Sequence, residues 1–236
     1  TLISCFDNAK EIQISGVFTA NDCRQEILDR YRNGQKRGTT TYFKKIDSAW
    51  TWREGEVTMW TGYQNEGKTL MLLQLCLIRA FKEGVKVAVF SPENMPKADF
   101  FNDLIESIIG KSADPYYQNN YMSENEILFA LDVIDRYFFL IYPDDNFKLE
   151  NILEKASFLV KKNGIRTLII DPYNTIEHHM DKGGREDLYI SKFMSQLKKF
   201  SVEKEVSVHL VAHQNTPRPN DKDEGRYFKP SLNNIK

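Results

Sequence analysis

The stretch Gly62-Tyr-Gln-Asn-Glu-Gly67-Lys68-Thr69 constrains this 236-residue chain more than any other eight residues in it. It has the form GxxxxGK[ST], and it stands between an apolar, strand-like run and a helical pattern, the setting in which such a loop wraps a phosphate. The glycines let the backbone close around phosphate oxygens with its N–H groups turned inward, and the start of the following helix adds partial positive charge. Lys68 then reaches the β- and γ-phosphates, and Thr69 presents a hydroxyl to a magnesium ion. A strand ahead of this loop and a helix behind it predict a sheet with crossover helices.

The rest of the chain continues that pattern. Apolar runs of strand length at 56–61, 86–90, 138–142, 167–171 and 207–212 alternate with helical patterns at 68–82, 97–109, 124–136, 149–162 and 186–204. Gly84 and Gly164 stand where two of these helices should stop. Runs of this kind separated by helices predict an α/β fold with a central, mostly parallel sheet. Ahead of it, the polar segment 33–41 reads as a linker, and Thr19 to Asp22 as a capping-box-like start to a short helix over 22–33. Cys23, Ile27 and Tyr31 fall four apart on one face of that helix, an amphipathic face that needs somewhere to dock.

Composition excludes several classes. With 41% hydrophobic and 28% charged residues, 12 Gly and 8 Pro, the chain is neither disordered, collagen-like nor a coiled coil. No apolar run approaches the roughly 18 residues that span a bilayer, so no membrane association is expected. Cys5, Cys23 and Cys76 lack the spacing of a disulfide framework or a zinc site and point to a reducing cytoplasm. Net charge is 32 − 33 = −1, but it is unevenly spread: 24–53 carries eight Lys/Arg against three Asp/Glu, and 92–154 four against thirteen. Solvated helix faces account for such patches as readily as a partner does, so charge carries no functional claim.

Three further features add chemistry to the loop. Thr167-Leu-Ile-Ile-Asp171 is an apolar strand ending in an acid that can support a magnesium hydration shell at the carboxyl edge of the sheet. Val87-Ala-Val-Phe-Ser-Pro-Glu93 sets a carboxylate just after a strand, where it can polarise the water that attacks a γ-phosphate. Val208-His-Leu-Val-Ala-His213-Gln214 ends the last strand in groups able to hydrogen-bond that phosphate. Taken singly, a strand-end acid is more often a turn or cap residue, and a lone His at a strand end is usually structural.

Together, Gly62 to Thr69, Glu93, Asp171 and His213-Gln214 resemble the RecA-like replicative hexameric helicases of the DnaB class, within it the phage primase-helicase and Twinkle branch. The similarity runs from about Ser15 to Lys236 and takes in Ser15-Gly-Val-Phe-Thr, Arg53-Glu-Gly-Glu-Val and Leu197-Lys-Lys-Phe. It implies a RecA-like P-loop NTPase core over 42–236, preceded in 1–41 by a linker helix through which one subunit grips the next. It also implies that Gly62, Asn65, Gly67, Lys68, Thr69, Leu70 and Gln214 bind ATP or another NTP or dNTP. Thr69 and Asp171 would hold Mg2+, Glu93 would activate water, and His213 would sense the γ-phosphate. Bacterial members have Gln at the sensor position; here His213 takes it by alignment of the strand end, with Gln214 as a neighbour.

The implied partners are single-stranded DNA, further copies of the chain in a hexameric ring, and a primase domain or protein, and the implied setting is a bacterial or phage-infected cell. In the family the DNA is gripped by loops after the fourth and fifth strands. The corresponding stretches here, 177–185 and 215–229, supply Lys182, Arg185, Arg218, Lys222 and Arg226, suited to holding phosphates without reading sequence. The sequence ends at what resembles the beginning of the family's last conserved segment and is expected to be a piece of a longer protein, the strands that carry an arginine finger in relatives lying beyond it. Two other classes stay open: a P-loop kinase in which Glu93 or Asp99 orients an acceptor hydroxyl, and a non-catalytic loader on the same fold. A recombinase or clock-type RecA relative is the nearest neighbour.

Overall fold

The computed structural model describes residues 16–34, 38–63, 65–143, 146–177 and 186–213, the side chains of 186 and 187 apart. The chain divides into two units, Thr1–Gly38 and Thr39–Lys236. In the first, helix α1 (Arg24–Asn33) follows a turn in which the Thr19 backbone N–H and hydroxyl both donate to Asp22 Oδ2, at 2.6 and 2.8 Å. The helix begins two residues later than the sequence pattern places it, because that reciprocal pair closes a turn of its own and Cys23 becomes the N-cap without a side-chain bond. No residue of α1 is buried, and Ile27 and Tyr31 are exposed.

The second unit opens with the short helix α2 (Lys44–Asp47) and continues β1 (Val57–Gly62), α3 (Lys68–Glu83), β2 (Lys86–Phe90), α4 (Lys97–Ile109), α5 (Glu124–Tyr137), β3 (Phe138–Ile141), α6 (Leu149–Asn163), β4 (Ile165–Ile170), α7 (Glu186–Lys204) and β5 (Ser207–His213). The strands form one sheet in the order β1-β5-β4-β2-β3, every pair parallel. Parallel strands covered on both faces read as nearly unbroken apolar runs, as in β4 and β5, whose inner residues are buried throughout. β4 starts two residues before the predicted run: Arg166 interrupts the apolar pattern but sits at the lower edge, where it pairs with Glu205 at 3.2 Å.

Side chains alternate across the sheet. On one face Val87, Val89, Ile169 and Val211 pack with Leu72, Leu75 and Cys76 of α3 and Phe100 and Leu104 of α4. On the other, Ala88, Phe90, Leu168, Ile170, Val208 and Leu210 pack with Ile152 and Ala156 of α6 and Phe193 and Leu197 of α7. Helix ends follow the residue types. Gly84 closes α3 at φ 70°, its N–H on the Ala80 carbonyl, and Gly164 closes α6. Ser123 and Glu126 form a reciprocal capping box at the start of α5.

A buried cation is the least expected feature of the core. Arg79 lies on the inner face of α3, 2% exposed, and its guanidinium meets Glu54, Glu83 and Thr167 and lies 4.8 Å from the ring of Trp52. The acids reach in from the surface, so the charge is paired rather than stranded. Among the described residues no helix is long and apolar enough to cross a membrane.

Candidate nucleotide-binding cleft

All strands being parallel, their carboxyl ends share one edge, and the loops leaving that edge frame a crevice where ligands of such sheets bind. Here it is a cleft of about 660 Å³ lined by Asn65, Gly67, Lys68, Thr69, Leu70, Glu93, Asp171 and His213 among others. Residues 145 positions apart in sequence, Lys68 and His213, thus face one space because β1 and β5 are neighbours in register, Gly62 opposite His213.

The two glycines of the loop differ in what they demand: at Gly62 a side chain would displace the carboxylate of Glu66, and at Gly67 it would strain the backbone. A Cβ at Gly62 would fall 2.8 Å from Glu66 Oε2 and 3.4 Å from Lys68 Cδ. Gly67 sits at φ 74° as the N-cap of α3, in the left-handed region that side chains disfavour, and Asn65 takes the same region at φ 63°. Glu66 Oε2 accepts from the Tyr63 N–H at 2.8 Å, closing the loop on itself. Lys68 Nζ donates to the Tyr63 carbonyl at 2.5 Å, which folds the ammonium back over the loop.

Across the cleft, Thr69 Oγ1 donates to Asp171 Oδ2 at 2.6 Å. Asp171 lies just beyond β4, 4% exposed, its backbone N–H on the Phe90 carbonyl at 2.9 Å. Burial, reinforced by the negative charge of Glu93, holds its carboxyl above the ordinary carboxylate range, against the Thr69 bond and the charges of His213 and Lys68. Glu93 stands in the loop after β2, and Asn94 and Ser91 line the cleft beside it. His213 is partly exposed, yet its Nδ1 is buried and, among the described residues, has no hydrogen-bond partner.

One wall of the cleft belongs to none of the sequence motifs. Asp103, Glu106 and Ser107 of α4 line it, three and four residues apart on one helical face. Asp103 is held above the usual carboxylate range by burial and by the charges of Glu106 and Asp99. That spacing was readable in the sequence, but which face of α4 turns to the cleft depends on how the helix packs beside α3. Asp99 does not line the cleft. Gln214, Lys182, Arg185, Arg218, Lys222 and Arg226 lie outside the described residues.

Residues 38–235 match the family described as DnaB-like helicase C terminal domain. A curated relative, the Twinkle homolog protein, chloroplastic/mitochondrial, of Arabidopsis thaliana, is 30% identical over 216 residues, which cover 87% of this chain and 30% of that protein. The chain therefore spans less than a third of the relative's length. Two solved structures share the fold. One is an ATPase domain (TM-score 0.72, 18% identity, covering 92% of this chain and 78% of that one). The other is a DnaB-like replicative helicase whose interactions with primase were described with it (TM-score 0.70, 16% identity, covering 100% and 56%). The architecture is the RecA-like one.

Proposed function

The chain belongs to the DnaB-like helicase C-terminal domain family, and from that premise we propose that it is the motor domain of an ATP-driven replicative DNA helicase. The small-molecule kinase reading falls away with family membership. The observation that carries the proposal is the convergence of Lys68, Thr69, Glu93, Asp171 and His213 on one cleft at the carboxyl edge of the sheet.

The residues present fit a magnesium nucleotide. An ammonium, a hydroxyl and two carboxylates, those of Lys68, Thr69, Glu93 and Asp171, line one cleft with His213, whose buried Nδ1 has no hydrogen-bond partner among the described residues. Lys68, which here donates to the Tyr63 carbonyl, would pair with the β- and γ-phosphates, and the loop N–H groups would hold phosphate oxygens. Thr69 and Asp171 would hold Mg2+, which when bound neutralises charge developing on the phosphates. Asp171 brings a carboxylate to the cleft beside the Thr69 hydroxyl, its carboxyl held above the ordinary range chiefly by burial, so a bound cation would favour its charged form. Glu93 orients and accepts a proton from the attacking water, and His213 reports the γ-phosphate to β5.

In this reading Lys182, Arg185, Arg218, Lys222 and Arg226 grip single-stranded DNA, and copies of the chain form a ring, each α1 reaching the next subunit with Ile27 and Tyr31. The solved relative described with its primase supports a primase as a further partner. Free Cys23 and Cys76 support a reducing compartment. The test is nucleotide hydrolysis with and without single-stranded DNA, on this chain and on a version extended beyond Lys236. Stimulation by DNA in the extended form supports the helicase reading; the absence of stimulation in both refutes it.

A further inference from the structure

Four residues before His213, on the same face of β5, His209 is completely buried. Trp60 Nε1 donates to its Nδ1 at 3.0 Å. Nδ1 being the acceptor, Nε2 carries the proton and donates to Ser207 Oγ at 2.7 Å. The rings of Trp50, Trp52 and Trp60 enclose the imidazole, with centroids 5.7, 4.9 and 6.1 Å away. Burial and the Arg79 charge push its pKa down to about 3, so the ring stays neutral and the tautomer stays fixed.

A leucine would fill such a site without hydrogen bonds. A histidine there is tolerated only when both nitrogens are satisfied, and that holds for one relative placement of Trp60 and His209. Trp60 is on β1 and His209 on β5, so the bond ties the two strands by side chains as well as by their backbone ladder. This matters because β1 ends one row of the described sheet, with β5 as its sole partner strand there. β1 delivers the phosphate loop and β5 delivers His213, whose Nδ1 has no hydrogen-bond partner among the described residues.

We propose that His209 is a positioning residue: held between Trp60 and Ser207, it fixes β1 against β5 so that His213 meets the terminal phosphate of a nucleotide seated in the Lys68 loop. The proposal rests on the reading of His213 as the γ-phosphate sensor. It requires that loss of the clamp weaken the contact to the third phosphate while leaving the diphosphate grip of the loop intact, a split that general loosening of the fold does not produce.

The test compares the affinities of the 236-residue chain for ADP and for a non-hydrolysable ATP analogue, both with Mg2+. Trp60→Phe removes the donor and keeps an aromatic ring on a partly exposed strand; His209→Leu removes both bonds; His209→Asn returns an amide oxygen near the Nδ1 position. Trp60→Phe and His209→Leu are expected to lower the preference for the analogue over ADP about tenfold, the scale of one lost hydrogen bond to a charged group. ADP affinity should stay within about twofold, and His209→Asn should recover part of the preference. Equal weakening of both nucleotides, or no change in the ratio, overturns the proposal, and Trp60→Phe decides alone if His209→Leu does not fold. His213→Ala is measured alongside: an unchanged ratio there sinks the sensor reading itself, whereas a lost ratio with Trp60→Phe unaffected sinks the clamp alone.

Discussion

Asp171→Asn should make the protein more stable and less able to act. The substitution keeps the shape of the carboxyl group, an oxygen to accept from Thr69, and the backbone bond to Phe90. What it removes is a negative charge on a side chain that is 4% exposed and raised in pKa, chiefly by burial. The sign follows from linkage. A carboxyl whose folded pKa lies above its unfolded value adds most to stability when protonated, and that contribution is lost as pH rises through the folded pKa. At pH 7 the ionised group therefore opposes folding, and an amide that resembles the protonated form does not. Weakening a charge-assisted hydrogen bond to a neutral one costs about 1 kcal/mol. Relief of desolvation, several kcal/mol for a wholly buried ion, outweighs this by about 1 kcal/mol once scaled to a group that Lys68 and His213 partly compensate. For a chain of this size the gain corresponds to a rise in Tm of about 2–4 °C. Thermal unfolding of parent and variant at pH 7 and pH 3 measures it: the advantage should be present at pH 7 and shrink at pH 3, while Mg-nucleotide hydrolysis falls below detection. A variant less stable than the parent at pH 7 would refute the account of Asp171 as a carboxylate held against its own burial in wait for a cation.

Other expectations concern the loop and the two buried polar groups. Lys68→Ala should lower nucleotide affinity by about a hundredfold or more, from the loss of two charged hydrogen bonds, with Tm changed by no more than a degree or two; retained affinity in a titration calorimetry experiment would contradict the assignment. Arg79→Met should destabilise by about 3 kcal/mol, at the low end for a broken buried pair because Glu54 and Glu83 remain within reach of water, and urea unfolding reads that value directly. His209, neutral in the fold, favours folding fully above its unfolded pKa near 6.5, and that support drains away as pH falls toward about 3. Stability measured from pH 7 to pH 4 should thus fall less steeply in His209→Leu than in the parent, and parallel curves would contradict the burial of a neutral imidazole.

Much of this molecule can be read from residue order alone, because the determining interactions are local. The glycines at 62 and 67, the stops at 84 and 164, and the alternation of apolar runs with helical patterns each act within a few residues, and the elements appear within one or two positions of where those signals place them. The eight residues from Gly62 to Thr69 likewise carry their own geometry, since loop closure and the first turn of α3 need nothing from elsewhere in the chain.

Tertiary structure decided what depends on contacts between distant segments. The order β1-β5-β4-β2-β3 brings β5 beside β1, and so His213 beside Lys68, a neighbourhood that no local pattern encodes. Arg79 reads as one more charge on a helix until Glu54 and Trp52 are seen to fold over it. His209 and His213 look alike in sequence, both on a strand and four residues apart. Only packing makes one a sealed, doubly bonded core residue and leaves the other at the cleft, its Nδ1 without a partner among the described residues. Hydrophobic burial is non-directional and settles which faces turn inward; the few buried polar groups, which have to find partners in particular places, settle how the strands that carry the site lie against one another.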